Sequence, residues 1–352
     1  MHAFRASAIL PTFSRPGTPL LRTTMSAFPT ATLPWKPDAT PLMLAPMQGV
    51  TNRAVRAYFI ETVRPDVVFT EFVRVAGRPR KRVAPRDLRE IGAGDQAPLV
   101  VQLIGNGRAA LVEAARIAAA AGARHLNLNL GCPYGRMTTG LTGGALLQHP
   151  DLLAELIPAL RDACNGSFSL KLRAGYDNHN DALALLPLFE AAGVDFLILH
   201  PRTVLQAYGG QADHRVTAAM ARATRLPVIA NGDIRSAAQG RLLLAESGAA
   251  GLMLGRGALA DPLLFARLRG EAPEAGSRAE RLAQLRRAIE NILARYLELF
   301  CGDVQVLSKL KGVLLTMEDP LLPELLPLRR AKTLAVFRNL LAEIDPLAAR
   351  ES

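Results

Sequence analysis

A strand-like run, residues 125–130, leads directly into a cysteine and a glycine-rich loop. Polar and apolar residues alternate along this run, as is typical of a β-strand. Cys132 follows, and Pro133 fixes the backbone beside the thiol. Asn127 and Asn129 are two residues apart and therefore share one face of the strand. That face is either the polar interior of a barrel or the wall of a ligand site, and a buried structural cysteine is the alternative interpretation of Cys132.

Short apolar runs of β type recur along the chain and are followed by helix-like sequence. These runs cover residues 41–46, 67–72, 98–105, 125–131, 167–175, 196–203, 226–233 and 251–259. Helices are predicted over Arg108–Ala121, over Asp151–Ala163 with Asp151 as N-cap, and over Ser236–Glu246 with Ser236 as N-cap. Eight strand–helix units predict an α/β fold, a (β/α)₈ TIM barrel. A doubly wound sheet fits less well, because no GxGxxG motif follows the first strand.

The two ends of the chain differ in composition from this repeat. Residues 1–38 are rich in Pro, Thr, Ser and Ala, which predicts a disordered tail. Their arginines would suit a transit peptide, but the prolines argue against an amphipathic helix. A barrel domain is expected over residues 39–270. After a linker, helical periodicity over residues 278–350 predicts a C-terminal α-helical domain.

The charge of the chain favours a polyanionic partner. The 352 residues carry a formal net charge of +11, and seven basic residues stand against one acid between Val73 and Arg89. Nucleic acid is the expected partner, and a solvated basic loop is the alternative. No apolar run is long enough to span a bilayer. The three cysteines show neither metal-ligand spacing nor a disulfide framework, so we expect no metal site and a cytoplasmic location.

Chemistry in a (β/α)₈ barrel takes place at the C-terminal ends of the strands. Polar residues and glycines stand at nearly every such end in this sequence. They include Gln48, Glu71, Gln102, Asn129, Cys132, Lys171, Arg173, His200, Arg202, Asn231, Gly232, Asp233, Gly255 and Arg256, and Met47 precedes Gln48. Loops after the last two strands form the usual phosphate site of this fold, and Lys171 and His200 can hydrogen-bond an electron-rich ring. A phosphate next to such a ring predicts FMN.

Segments at these strand ends resemble the tRNA-dihydrouridine synthase family. They are LAPMQGVTN, FTEF, VQLIG, LNLNLGCPYGRM, KLRAG, HPRT, ANGDI and GLMLGRGAL, in the family's order over residues 41–265. The resemblance implies a tRNA-binding role for the helical domain over residues 278–350. It also implies reduction of a D-loop uridine in tRNA to dihydrouridine, with NADPH reducing a bound FMN. We expect the protein to be a monomer.

The resemblance also implies roles for single residues. Cys132 would be the proton donor, and Asn129 and Arg202 would bind the uracil. The expected FMN ligands are Pro46, Met47, Gln48, Gln102, Lys171, His200, Asn231, Gly232, Asp233, Gly255 and Arg256.

Two departures from the family pattern leave the modified tRNA position open. One is His214, where members of the family often have tryptophan, and the other is the arginine-rich segment 73–89. Two alternative functions also stay open at this stage. The first is an FMN oxidoreductase of a free pyrimidine or other small molecule, which would need neither the basic segment nor the helices. The second is an RNA-binding protein without chemistry, although the presence of Cys132, Lys171 and His200 argues against it.

Overall fold

The structure, a computed structural model, describes residues 32–77, 82–91, 96–134, 141–274, 276–317 and 322–344. Parallel strands form one sheet in this part of the chain. They are β1 (Leu42–Leu44), β2 (Val68–Phe69), β3 (Val73–Arg74), β4 (Leu99–Ile104), β5 (His125–Leu130), β6 (Phe168–Arg173), β7 (Phe196–His200), β8 (Val228–Asn231) and β9 (Gly251–Leu254).

The sheet closes into a barrel. Its strand order is β1-β9-β8-β7-β6-β5-β4-β2, and β3 is a second short strand beside β4 that the sequence did not predict. A parallel bridge between Met43 and Val67 joins β1 to the residue before β2, and the Leu44 N–H donates to the Val67 carbonyl at 3.0 Å. The predicted (β/α)₈ barrel is confirmed, and the C-terminal ends of all strands lie at one edge.

Helices cover the outside of the barrel and continue beyond it. They are α1 (Arg53–Tyr58), α2 (Pro85–Ile91), α3 (Arg108–Ala120), α4 (Pro150–Asp162), α5 (Asp181–Ala184), α6 (Leu186–Ala191), α7 (His214–Ala223), α8 (Ala237–Ser247), α9 (Arg256–Ala260), α10 (Leu264–Leu268), α11 (Arg278–Leu299), α12 (Asp303–Thr316), α13 (Leu326–Arg330) and α14 (Leu334–Glu343). Short π and 3-10 turns cover Phe59–Val63, Gly143–Gln148 and Pro323–Leu325.

The helix limits follow local capping chemistry. Ser236 caps α8 as predicted, with its side chain accepting from a backbone N–H. The prediction that Asp151 caps α4 is wrong, because the helix begins at Pro150, whose fixed φ suits the first helical position. The last part of the helical pattern over residues 278–350 contains two helices, α13 and α14, and the side chain of Thr333 caps the second.

The bottom of the barrel is apolar and includes a residue assigned to the predicted tail. Met43, Phe69 and Phe196 belong to this interior cluster, and Trp35 packs against Phe196 with ring centroids 4.8 Å apart. The folded chain therefore begins before residue 39. Residues 1–31 lie outside the described part of the chain, where disorder stays a prediction.

The C-terminal helices share a hydrophobic core with the barrel. Leu285 and Ile289 of α11 belong to the same buried cluster as Leu254 of β9. Asn52, the N-cap of α1, donates from Nδ2 to the buried Tyr296 hydroxyl of α11 at 3.0 Å. The described residues belong to one compact unit, and a separate helical domain over 278–350 stays a prediction.

None of the helices in the described ranges is long and apolar enough to cross a membrane. Within the same ranges, no group of three or more His, Cys, Asp or Glu side chains is arranged to hold a metal ion.

We predict that Tyr296→Phe destabilises the protein. The variant removes the acceptor for Asn52 Nδ2, which is buried at this junction. A buried donor that loses its partner costs about 1–3 kcal/mol. Urea denaturation should therefore show a lower free energy of unfolding with an unchanged slope. An unfolding free energy equal to that of the wild type would contradict a stabilising role for this bond.

Candidate active site

A cavity of about 500 Å³ opens at the edge formed by the C-terminal ends of the strands. Its walls contain every residue predicted for the site except Arg202. These are Pro46, Met47, Gln48, Gln102, Asn129, Cys132, Lys171, His200, Asn231, Gly232, Asp233, Gly255 and Arg256. Their segments are far apart in the sequence, and barrel closure brings them together.

The Cys132 thiol lies in the cavity wall at the end of β5. The Oδ1 atom of Asn129 accepts from the backbone N–H groups of Gly131 and Cys132, both at 3.0 Å. These two bonds form a tight turn that presents the cysteine. Burial raises the pKa of the Cys132 thiol, opposed by a backbone hydrogen bond from Tyr134 and by nearby cations. The side chain is therefore a protonated thiol at neutral pH.

Lys171 supplies an ammonium group on the strand next to the thiol. Its Nζ donates to Oδ1 of Asn231 on β8 at 2.9 Å, across the barrel mouth. Desolvation, aided by the charge of Arg173, lowers the pKa of Lys171 to about 7. At a pKa of about 7 the amine is only partly protonated at neutral pH, and an anion that enters the cavity favours its ammonium form.

Arg202 is buried behind the cavity wall and uses all of its donors within the protein. Its guanidinium bonds both oxygens of Asp233, the carbonyls of Gly209 and Gly210, and Nε2 of His200. A guanidinium has five N–H donors, and these bonds occupy them. The structure therefore does not bring Arg202 to a substrate, and its bonds instead position the residues beside the cavity.

The same contact determines the tautomer of His200. The Arg202 NH1 group lies 3.1 Å from His200 Nε2, and a guanidinium cannot accept a hydrogen bond. Nε2 is therefore the acceptor, and the proton of the neutral ring is on Nδ1. Desolvation, with the positive charges of Lys171, Arg173 and Arg202, lowers the pKa of His200 to about 2. The ring is a neutral Nδ1–H donor throughout the physiological range.

The loop after β8 has a backbone that few residues adopt. Gly232 has φ of 123° and Asp233 has φ of 51°, both in the left-handed region. A Cβ atom on Gly232 would lie 2.7 Å from the His200 ring, so only glycine fits there. Burial opposes ionisation of Asp233, but the bonds from Arg202 and Ala212 lower the pKa of its carboxyl overall. Asp233 is thus an anion already paired within the protein.

Three parts of the cavity lining were assigned no function in the sequence analysis. Arg173 is buried and holds the turn before Cys132 by donating from Nε to the Gly131 carbonyl at 2.8 Å. Tyr208 is 49% exposed at the cavity mouth, 5.6 Å from the Arg173 guanidinium and 5.4 Å from that of Arg256. The end of α12 also contributes side chains to the lining. The sequence analysis places Arg173 at a strand end, and its position two residues after Lys171 indicates that it faces inward, but no local pattern marks Tyr208 or α12.

The basic segment 73–89 is only partly described. Arg78, Arg80 and Lys81 lie outside the described residues. Arg82 is buried, forms an ion pair with Glu113 at 2.7 Å and donates to backbone carbonyls. Arg82 is therefore a structural residue, and its predicted role in a polyanion surface is not supported. The exposed basic residues of the described part are Arg74, Arg86 and Arg89.

A cavity lined by amides, cations and a thiol at the C-terminal edge of a parallel barrel is the arrangement of a barrel enzyme. Residues 43–317 match the dihydrouridine synthase (Dus) family. The chain therefore belongs to this family, and the predicted family is confirmed.

Three relatives show how much of the chain is shared. The chain is 39% identical over 233 residues to a probable tRNA-dihydrouridine synthase of Rhodobacter capsulatus, covering 65% of this chain and 70% of that protein. It is 35% identical over 225 residues to tRNA-dihydrouridine synthase B of Pseudomonas aeruginosa, covering 64% and 67%. It is 34% identical over 267 residues to a probable tRNA-dihydrouridine synthase of Rickettsia conorii, covering 72% and 78%.

We predict that His200 stays neutral and keeps its proton on Nδ1 between pH 5 and 8. ¹⁵N spectra of histidine-labelled protein should show one protonated and one unprotonated nitrogen for this ring, unchanged across the range. In the unfolded chain the ring takes up a proton below its ordinary pKa of 6.5. Folding stability therefore falls with each pH unit below this value, by up to about 1.4 kcal/mol.

The control is His200→Gln, whose stability should depend less on pH over the same interval. Protonation of the His200 ring between pH 5 and 8, or a proton on Nε2, would contradict the bond from Arg202.

Proposed function

We propose that this chain is a tRNA-dihydrouridine synthase that reduces the C5–C6 bond of a D-loop uridine, with FMN as cofactor and NADPH as reductant. The observation that carries the proposal is the position of Cys132, whose protonated thiol lines the same cavity as Lys171 and His200. Membership of the family supports it, and so do the names of the three relatives.

The cavity residues fit FMN by charge and by donor type. A phosphate and an electron-rich ring need cations and N–H donors. Asp233 is the one acid among the described lining residues, and Arg202 already pairs with it, whereas several lining side chains are cationic. The residues proposed to hold FMN are Pro46, Met47, Gln48, Gln102, Lys171, His200, Asn231, Gly232, Asp233, Gly255 and Arg256.

Cys132 is proposed to complete the reduction by protonating the base. FMN bound in this cavity would supply the hydride for C6 of the uracil, with electrons drawn from NADPH. The thiol then gives its proton to C5, so that one hydrogen is added to each carbon of the bond. A general acid must hold its proton at the working pH, and the raised pKa of the Cys132 thiol meets this condition.

Asn129 is proposed to bind a carbonyl oxygen of the uracil. Its Oδ1 accepts the two backbone bonds described above, and one hydrogen of Nδ2 bonds Gln102. The second Nδ2 hydrogen is a donor, so the amide offers the base a donor rather than an acceptor. Because the internal bonds of Arg202 occupy its donors, direct binding of uracil by Arg202 is not part of this proposal.

The uridine has to leave the tRNA stack to reach this cavity. Unstacking costs roughly a few kcal/mol, which contacts to phosphates can offset. The exposed basic residues Arg74, Arg86 and Arg89 are proposed to supply part of that contact. The C-terminal helices are proposed to supply the rest of the tRNA surface.

Absorbance spectra of the purified protein test the cofactor. We expect a flavin spectrum, and we expect Arg256→Ala to lose most of the FMN because a guanidinium at the phosphate end is removed. Mapping dihydrouridine in tRNA incubated with the protein, FMN and NADPH tests the reaction. A colourless protein that takes up no FMN, with no dihydrouridine formed, would rule out the proposed function.

Cys132→Ala should separate flavin reduction from reduction of the base. NADPH should still bleach the flavin, since the thiol acts only at C5. Dihydrouridine formation should fall about 10²–10⁴-fold, which is the usual cost of losing a general acid. Cys301→Ala is the matched control, because this cysteine is exposed and does not line the cavity. Normal dihydrouridine formation by the Cys132 variant would remove the thiol from the mechanism.

The basic segment can be tested without disturbing its structural residue. Replacing Arg78, Arg80 and Lys81 with alanine should raise the apparent KM for tRNA. Each lost phosphate contact should also reduce the log–log salt slope of binding by roughly 0.7–0.9. Flavin reduction by NADPH should not change. Wild-type tRNA affinity and salt slope in this variant would show that the segment is only solvated.

A further inference from the structure

Gln102, Asn127 and Ser169 form a row of polar side chains across three strands inside the barrel. Gln102 of β4 is in register with Asn127 of β5, which is in register with Ser169 of β6. All three are almost completely buried. Barrel interiors are usually filled by branched apolar side chains, and a buried polar group is costly unless it is hydrogen-bonded.

Hydrogen bonds connect this row into a chain that ends at the site. Gln102 Nε2 donates to Asn127 Oδ1 at 2.8 Å, and Asn127 Nδ2 donates to Ser169 Oγ at 2.9 Å. The Ser169 hydroxyl donates to the Leu126 carbonyl at 3.3 Å. At the other end, Gln102 Oε1 accepts from Asn129 Nδ2 at 2.9 Å. One continuous chain of bonds therefore leads from Ser169 to Asn129.

The direction of every bond in the chain follows from two backbone groups. The N–H groups of Gly131 and Cys132 can only donate, so Oδ1 of Asn129 faces them and Nδ2 is left for Gln102. Gln102 accepts through Oε1 and therefore donates through Nε2. Asn127 likewise accepts through Oδ1 and donates through Nδ2, so the direction of each bond determines that of the next. At the far end, the hydroxyl of Ser169 accepts the last bond and donates to a carbonyl.

We propose that Asn127 and Ser169 are positioning residues for the turn that carries Cys132. Neither side chain lines the cavity, so both act through Gln102 and Asn129. The chain of bonds holds the Asn129 amide in place from inside the barrel, and this amide holds the backbone of the turn. It also determines which atoms of Gln102 accept and which donate. The inference rests on the proposed function only in taking the positioned thiol to be the proton donor.

Alkylation of Cys132 by iodoacetamide measures how firmly the turn is held, without cofactor or substrate. Peptide mass spectrometry of the full chain separates Cys132 from Cys164 and Cys301. Ser169→Ala should raise the Cys132 alkylation rate by about threefold to tenfold, within the range of couplings between residues of one hydrogen-bond network. Ser167→Ala is the matched control. Ser167 is equally buried just before β6, but its hydroxyl bonds His125 and is not part of the hydrogen-bond chain from Ser169 to Asn129.

Asn127→Asp provides a second test through its pH profile. A protonated carboxyl can accept from Gln102 and donate to Ser169, as the amide does, whereas a carboxylate cannot donate. The Cys132 alkylation rate relative to wild type should therefore be near unity at low pH and rise through one titration step. The neighbouring titratable groups, His125, Lys171, His200 and Cys132 itself, are present in both proteins, so the ratio cancels the pH dependence that the two proteins share.

The proposal is overturned if Ser169→Ala alkylates at the wild-type or the Ser167→Ala rate, or if the Asn127→Asp ratio is independent of pH. If Ser169→Ala does not fold, the pH profile decides alone. Absence of FMN or dihydrouridine in the wild type would overturn the proposed function and leave the alkylation result standing.

Discussion

The alternation of side chains along the parallel strands is the constraint on which the site depends. On β5, the leucines 126, 128 and 130 pack against the helix layer, so Asn127 and Asn129 must face inward. The same period places Ser169 and Lys171 inside on β6. A shift of either strand by one residue would turn its polar side chains towards the helix layer. The cavity wall would then lose the hydrogen-bond donors that these side chains provide. The polar interior is therefore held in place by hydrophobic packing on the other side of the sheet.

Charge pairing within the protein decides which groups are available to a ligand. Arg202 and Asp233 satisfy each other, and through this pair the protein fixes both the loop after β8 and the tautomer of His200. Lys171 Nζ donates to an amide oxygen rather than to a carboxylate, and its pKa is lowered, so an incoming anion would stabilise its ammonium form. A buried ion pair adds little net stability on its own, but here it determines the orientation of neighbouring groups.

The sequence was sufficient for the barrel and for most of the cavity wall, because both follow from local rules. Apolar patterns in the sequence predict the strands. Closure of the barrel then brings together the residues at the C-terminal ends of these strands. The failures came where the partner is remote in sequence. The sequence predicts that Arg82 belongs to a basic surface, but in the structure it is paired with Glu113. The sequence predicts Arg202 as a ligand, but Asp233, which is 31 residues away, pairs with its guanidinium. Tyr208 lies in the loop after β7, and no periodicity in the sequence reveals its position.

The C-terminal helices affect the cavity as well as the outer surface. Leu315 and Thr316, at the end of α12, line the cavity, and α11 bonds Asn52 through Tyr296. Asn52 caps α1 immediately after the loop that carries Met47 and Gln48, so this loop is fixed between barrel and helices. A barrel without α11 and α12 would lose part of its cavity wall and expose the cluster they share with β9. The loop that carries Met47 and Gln48 is therefore held by the C-terminal helices as well as by the barrel.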